Sequence, residues 1–334
     1  VTGVQTCALP ISPCYHARET AIQRGKIEGA RVVMGSASPS VESYYRGKTG
    51  EYQLLYLNER YGGKELPQVS VVDLREELKA GNRSIFSHEL AEKIRDRLQK
   101  KEQSILFLNR RGYTGFVSCR SCGYVVKCPH CDVSLTSHRN GKMICHYCGY
   151  EIPQVKTCPS CGSPYIGGFK AGTQQIETLL NKSFPGARIL RMDADTTKNK
   201  GGHEKVLSAF AAGEADILIG TQMIVKGHDF PNVTFVGVLA ADLSLYSEDY
   251  RASEKTFQLL LQAVGRAGRG EKKGDAVIQT YHPEHYSILA AAAQDYEAFY
   301  QEEIGYRLLM EYPPAAFMAA VKGSCKNEEL LKKA

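Results

Sequence analysis

The chain has 334 residues, room for roughly two domains. Hydrophobic residues at 43%, charged residues at 23% and 31 glycines describe an ordinary soluble α/β protein with a sizeable core. No apolar run nears the ~20 residues of a membrane helix. No basic stretch precedes the apolar N-terminal patch, so no signal peptide is read and a cytoplasmic protein without a membrane partner is expected. The net charge of +6 is mild, but half of it falls between Cys119 and Cys161, where five Lys or Arg residues face two acids.

Residues 1–12, VTGVQTCALPIS, match no element that follows and read as a non-native leader, which leaves Cys7 without meaning. From Pro13, HARETAIQRGKIEGA predicts a helix, then a short apolar strand at Arg31 to Met34 and a tight turn from Gly35 to Ser40. Residues 48–103 form a connector and the start of the next lobe, with one strand (VSVVDL) and one amphipathic helix (HELAEKIRDRLQKK). In that helix Leu90, Ile94 and Leu98 recur at a spacing of four and give one apolar face.

Next comes SILFLN, within 104–118, a continuous apolar run of the kind found in strands buried on both faces. Beyond Gly172 the runs ARILRMD, ADILIGT, TFVGVLAAD and DAVIQTY alternate with helical stretches. Strands separated by helices predict a parallel sheet with right-handed crossovers. The cysteine-rich stretch 119–162 is therefore an insert within one α/β lobe, which resumes over 163–290. From 291 onward a further helical segment begins and is cut short at Ala334.

Eight of the eleven cysteines form four C-x-x-C pairs in the insert: Cys119/Cys122, Cys128/Cys131, Cys145/Cys148 and Cys158/Cys161. With no signal peptide, metal binding is a better reading than disulfides. Two pairs complete one tetrahedral Cys₄ site, so eight thiolates make two zinc sites with no ligand left over. Gly123, Gly149 and Gly162 each follow the second Cys of a pair, where a left-handed residue eases the knuckle turn. A single pair could be a redox dithiol, but four in series are not. An iron–sulfur cluster is the remaining alternative; paired knuckles with intervening hairpins suit zinc better. His130 and His146 read as bystanders or DNA contacts. Closed sites leave no position for water, so both zinc ions are expected to be structural, and metal binding would supply on the order of 10 kcal/mol per site to a segment too short for its own core.

Two later segments carry further chemistry. Gly220-Thr221-Gln222-Met223-Ile224-Val225-Lys226-Gly227-His228-Asp229-Phe230 follows a strand, and Gln262-Ala263-Val264-Gly265-Arg266-Ala267-Gly268-Arg269-Gly270 follows an apolar helical run. Arg266 and Arg269, three apart, are expected on one helical face kept uncrowded by Gly265 and Gly268. Two guanidinium forks aimed the same way would cradle a transferring phosphate. A lone GRxGR could be a solvated basic face; the GT…KGHDF segment about 40 residues earlier makes that reading the weaker one.

These two segments resemble motifs V and VI of superfamily-2 helicases. Together with the eight-cysteine insert, HARETA…VVMGSASPSVESYY, GTQQIETLLNKSFPGARILRMDADTT and the EYPP segment, the chain resembles the primosomal protein N′ family of bacterial replication-restart helicases over about residues 13–334. The resemblance implies a RecA-like lobe two with a two-zinc insert, preceded over 13–47 by the end of lobe one with motif III. It implies that Gln262, Arg266 and Arg269 act catalytically, the two arginines as fingers. Gly227, Asp229 and Gly265 would face the nucleotide, and Ser36 and Ser38 would couple nucleotide state to DNA. It also implies nested zinc sites: Cys119, Cys122, Cys158 and Cys161 on one ion, the inner pairs on the other. The activity implied is an ATP-dependent 3′→5′ DNA helicase that restarts stalled forks and loads the primosome. Its partners would be forked and single-stranded DNA, single-strand-binding protein and primosome components, and it would act as a monomer.

A motor of this type needs a Walker A loop and an acidic Walker B motif for phosphates and Mg²⁺, and neither occurs. Gly47-Lys48-Thr49 looks similar, but Glu42 stands where the motif requires glycine. The 334 residues alone are expected to be inactive, with ATP and Mg²⁺ belonging to the intact parent. His282 and His285 could hold a metal, though a plain turn explains them more simply. The Arg110-Arg111-Gly112-Tyr113 turn either touches DNA phosphates or merely leads into the insert. The rival reading is a non-enzymatic zinc-ribbon nucleic-acid-binding protein, in which converging arginines would have no purpose.

Overall fold

The computed structural model describes residues 16–57, 65–108, 116–130, 133–138, 140–146, 148–168, 172–193, 196, 201–221, 224, 230–246 and 249–318. It divides into two units, Val1–Pro39 and Ser40–Ala334. In the first, helix α1 (Ala17–Glu28) starts at His16, whose Nδ1 accepts from Glu19 N, and ends at the left-handed Gly29. The strand expected at Arg31 to Met34 does not form, and Val33 is 91% exposed. A strand needs a neighbour to take its backbone hydrogen bonds, and none is paired with it among the described residues.

The second unit opens with α2 (Val41–Lys48), capped by Ser40. Gly47, Lys48 and Thr49 close this helix; Thr49 Oγ1 donates to Tyr45 O and Lys48 pairs with Glu297 at 3.1 Å. A phosphate loop must precede a helix rather than end one, so the Gly-Lys-Thr run is not a Walker A loop. Next follow β1 (Gln68–Asp73), α3 (Leu74–Lys79), α4 (His88–Gln99) and β2 (Gln103–Phe107). The insert contributes β3 (Ser118–Cys119), β4 (Thr136–Ser137), β5 (Lys142–Ile144), β6 (Glu151–Pro153) and β7 (Ile166–Gly167). The lobe resumes with α5 (Thr173–Ser183), β8 (Ile189–Met192), α6 (Gly202–Ala211), β9 (Ile217–Gly220), β10 (Val233–Val238), α7 (Ala252–Val264), β11 (Asp275–Thr280), α8 (Tyr286–Ala293) and α9 (Tyr296–Leu309).

Six strands form one sheet in the order β1-β11-β10-β2-β9-β8, and every pairing is parallel. This is the sheet that the strand–helix alternation predicts. The SILFLN run supplies β2, which lies between β10 and β9 and is buried along its whole length. On one face α4 and α5 pack through Leu90, Ile94, Ile176 and Leu180; on the other, α2 and α6 to α9 enclose Phe210, Phe257, Ile288 and Phe299. Close approach of α4 requires glycine at 237, where a Cβ would meet Leu106 Cδ2 at 2.8 Å and Leu90 Cδ1 at 2.9 Å.

The insert leaves the lobe after β2 and returns before α5. Its two ends are tied by the antiparallel pair β3–β7, with Cys119 opposite Ile166, and it carries a three-stranded antiparallel sheet β4-β5-β6. Phe116, Ser134 and Gly123 seat it on the lobe. Phe116 packs against the Tyr246 ring, Ser134 Oγ donates to Tyr246 O at 2.7 Å, and Gly123 lies on Tyr281 O and the His282 ring. A side chain on Gly123 would strike Tyr281 O at 2.9 Å, and its φ is +80°, so only glycine fits there.

Candidate metal centre and motor motifs

The first and last knuckles of the insert converge. Sγ atoms of Cys119, Cys122, Cys158 and Cys161 all lie within 4.8 Å of one another, with Cys119–Cys161 at 3.7 Å and Cys122–Cys158 at 3.6 Å. Zinc about 2.3 Å from each of four thiolates separates the sulfurs by about 3.8 Å. A disulfide would need about 2.05 Å. The spacing therefore suits a shared tetrahedral ion. A second group holds Cys128, Cys145 and Cys148, with Cys128–Cys148 at 3.6 Å. Cys131 lies outside the described residues. The knuckle turns are built as the glycines suggest: Gly123, Gly149 and Gly162 all have positive φ, and their N–H groups donate to Cys119, Cys145 and Cys158 carbonyls.

The local electrostatics also favour thiolates unevenly. Burial opposes ionisation of Cys158, yet the N–H groups of Cys161 and Ser160 outweigh it and bring the thiol down to about 7. At Cys122 burial prevails and pushes the thiol up to about 12. A divalent cation supplies the missing charge and holds all its ligands deprotonated. Around the inner group a small core of Val117, Val126, Leu135 and Met143 is buried, too few residues to hold the insert without metal. His130 packs edge-on against Tyr150, and His146 faces His138, so neither ring joins the thiol groups.

The second of the two later sequence motifs packs against the chain just after the first. The first begins at the C-terminal end of β9, and of its described residues Ile224 and Phe230 are buried in the core. Gly227 and Asp229 lie outside the described residues, as do Arg110, Arg111, Gly112 and Tyr113. The second does not continue as a helix. Helix α7 ends at Val264, and 265–268 form a turn in which Gly268 has φ +68°. Arg266 and Arg269 therefore do not share a helical face, contrary to expectation. Gly268 is needed because a Cβ would meet Gly274 N at 2.5 Å, and such a left-handed glycine ends a helix. The turn is pinned by Gly268 N donating to Val233 O at 3.0 Å, and a Cβ on Gly270 would collide with Pro231 O, just beyond the first motif. Gln262 is half-buried on the last turn of α7. Arg269 Nε donates to Gly265 O at 3.0 Å, a cation on helix-terminal carbonyls.

Ser36 and Ser38 lie in the first unit, where Ser36 Oγ accepts from Ser38 N at 3.1 Å. His282 and His285 do not form a metal pair. His285 Nδ1 caps α8 through Ser287 N, and burial, reinforced by His282, brings it down to about 4. His282 packs edge-on against Tyr246 beneath the first knuckle.

One feature invisible to motif reading is a buried charge cluster. Arg307 of α9 is fully buried and holds Glu254 of α7 and Glu303, each at 2.7 Å, and Glu42 of α2 at 3.3 Å. Glu254 also accepts from Val41 N at 3.1 Å. The cluster clamps the starts of α2 and α7 to α9. Its only sequence trace is a Glu-x-x-x-Arg spacing at 303 and 307, which reads as an exposed helical pair.

Two family descriptions match the chain: the PriA DNA helicase Cys-rich region domain over residues 128–153, and the helicase conserved C-terminal domain over 168–271. Over 323 residues the chain is 55% identical to the replication restart protein PriA of Bacillus subtilis, covering 96% of this chain and 40% of that protein. The Synechocystis protein of the same name is 45% identical over 332 residues, with 97% and 40% covered. That of Haemophilus influenzae is 39% identical over 320 residues, with 95% and 43% covered. The chain thus spans about 40% of the length of these relatives. A zinc ribbon seated in a helicase C-terminal lobe, with 95–97% of the chain aligned to 40–43% of three such proteins, makes the chain similar to one segment of the PriA replication restart proteins.

Proposed function

We propose that this chain supplies the second motor lobe and the two-zinc ribbon of an ATP-dependent 3′→5′ DNA helicase that restarts stalled forks and loads the primosome. The observation that carries this reading is the packing of the second motif against the residues that follow the first, on a lobe that also seats the ribbon. Gln262, Arg266 and Arg269 are assigned to ATP hydrolysis, the arginines as fingers on the transferring phosphate. Gly227, Asp229 and Gly265 are assigned to the nucleotide, and Ser36 and Ser38 to coupling with DNA. Cys119, Cys122, Cys158 and Cys161 would hold one structural zinc, and Cys128, Cys131, Cys145 and Cys148 the other. The same reading places the end of lobe one at 13–47, the ribbon at 119–162, the rest of lobe two at 163–290 and the start of a C-terminal domain from 291.

ATP and Mg²⁺ need a phosphate loop and an acidic motif that the sequence does not carry, so the chain alone is expected to hydrolyse no ATP. The proposed partners are forked and single-stranded DNA, single-strand-binding protein and primosome components, met by a monomer in the cytoplasm. No helix among the described residues is long and apolar enough to cross a membrane. The test is a chimera in which residues 16–318 replace the matched segment of the Bacillus subtilis relative. Fork-stimulated ATP hydrolysis and unwinding, both abolished in Arg269→Ala, are expected. A folded, zinc-loaded chimera that binds DNA but hydrolyses nothing would turn the assignment toward a binding-only ribbon.

A further inference from the structure

We propose that the cavity between the first zinc knuckle and the loop joining α3 to α4 is a phosphate site for a nucleic-acid strand, with Arg83 and Arg120 as its cationic groups. The proposal rests on reading the chain as part of a DNA motor and adds a DNA-binding element outside the motor motifs. The cavity has a volume of about 140 Å³ and lies among Leu74, Leu78, Arg83, Arg120, Tyr165 and Tyr281. It is large enough to take a phosphate group.

The cavity wall carries two arginines and one acid. Arg75, Arg97, Arg188, Arg191, Arg251 and Arg307 each hold a carboxylate. Arg83 and Arg120 hold none among the described residues, and both line this one cavity. The Arg83 guanidinium lies over the Tyr165 ring at 5.8 Å. Stacking fixes the plane of the fork while leaving its N–H edge free for a bidentate oxyanion. Arg120 is set by the metal knuckle itself: it falls between Cys119 and Cys122, and its backbone N–H donates to Tyr165 O at 2.8 Å. Glu77, the one acid on the wall, is already occupied by Asn82 Nδ2 at 2.6 Å, His88 N at 3.1 Å and the His88 ring at 2.8 Å.

The surroundings favour a nucleic acid over other anions. Tyr165, 43% exposed on the cavity wall, and Tyr124, 37% exposed just after the knuckle that carries Arg120, offer aromatic surface. Cationic groups for the backbone with an aromatic surface for bases are the usual way to hold a single strand. Because one wall is ribbon and the other is lobe, a strand gripped there would bridge the two.

The test is fluorescence-anisotropy titration of the zinc-loaded full chain with labelled oligo-dT at stepped salt, comparing wild type with Arg83→Gln/Arg120→Gln. Both substitutions are at exposed positions, and because Arg120 lies within the first knuckle, zinc content verifies that the knuckle is intact. About tenfold weaker binding is expected, with a salt slope smaller by about 0.7 for each phosphate no longer neutralised. Arg83→Lys/Arg120→Lys should restore the slope, because charge alone sets counterion release. Equal binding by wild type and the glutamine variant overturns the site while leaving the motor reading intact. No binding by wild type overturns the site, and the chimera's ATP hydrolysis then decides the motor reading separately. Displacement of the strand by a poly-aspartate peptide from wild type but not from the glutamine variant reassigns the cavity to an acidic protein segment.

Discussion

Removing Arg307 should be the most damaging single side-chain change in the lobe. Arg307→Met leaves the side chains of Glu254 and Glu303, only 5% and 1% exposed, without their cation. Breaking a buried ion pair from one side costs about 3–5 kcal/mol, because the orphaned charge stays desolvated. At a denaturant slope of about 3 kcal/mol/M, that lowers the urea midpoint of the lobe by about 1–1.7 M. The triple variant Arg307→Met/Glu254→Gln/Glu303→Gln should recover more than half of the loss. The deficit also has a pH signature. Burial, aided by Glu42, already holds Glu254 above the usual carboxylate range against the pull of Arg307. Without Arg307 it rises further. A carboxyl whose folded value exceeds its unfolded value of about 4.3 destabilises at higher pH, and the penalty fades as pH falls toward that value. Arg307→Met should therefore be further below wild type at pH of about 7.5 than at about 5. A midpoint within about 0.3 M of wild type, or a deficit that does not change with pH, would refute the reasoning.

Gly268→Ala places a Cβ against Gly274 N in a left-handed conformation; a loss of about 1–3 kcal/mol is expected by urea unfolding, along with loss of ATP hydrolysis in the chimera. Cys158→Ser should drop zinc from two ions per chain to one by elemental analysis while far-ultraviolet circular dichroism retains the α/β signal; complete unfolding would show that the lobe depends on the ribbon. His285, brought down to about 4 by burial, is neutral when folded but protonates near 6.5 when unfolded. Stability is thus fully present above about 6.5 and is lost as pH falls toward 4. His285→Asn, which keeps a side-chain cap, should flatten that loss, and an unchanged pH profile would count against it.

The lobe was legible because its signal is periodic: an apolar run with no polar alternation marks β2 as a central strand, and spacing of four marks the buried face of α4. The strand expected at Arg31 to Met34 fails because local apolarity cannot supply a pairing partner. Cysteine spacing disclosed that metal knuckles exist; their convergence depends on the ribbon's ends being joined through β3 and β7, a long-range fact. Arg266 and Arg269 were visible as residues, yet not their geometry, since the left-handed glycine between them breaks the helix that sequence spacing assumed. Arg307 and the Arg83–Arg120 cavity were hidden for another reason. Each depends on side chains from elements far apart in sequence, and no local pattern distinguishes a buried arginine from a solvated one.

The pairing of β1 with β11 also bears on how the chain is made. Gln68 aligns with Asp275, and among the described residues β1 lies at the sheet edge with β11 as its one neighbour. At about 5–20 residues per second, a ribosome delivers β11 roughly 10–40 s after β1. The ribbon, whose thiols span Cys119 to Cys161, needs no such wait and can capture metal while downstream strands are still being synthesised. The nascent chain thus carries a finished metal module on an unfinished sheet, with Val69 and Val71 uncovered until late in translation. This is the interval in which chaperone protection would matter most, and zinc supply would be felt before the lobe itself is complete.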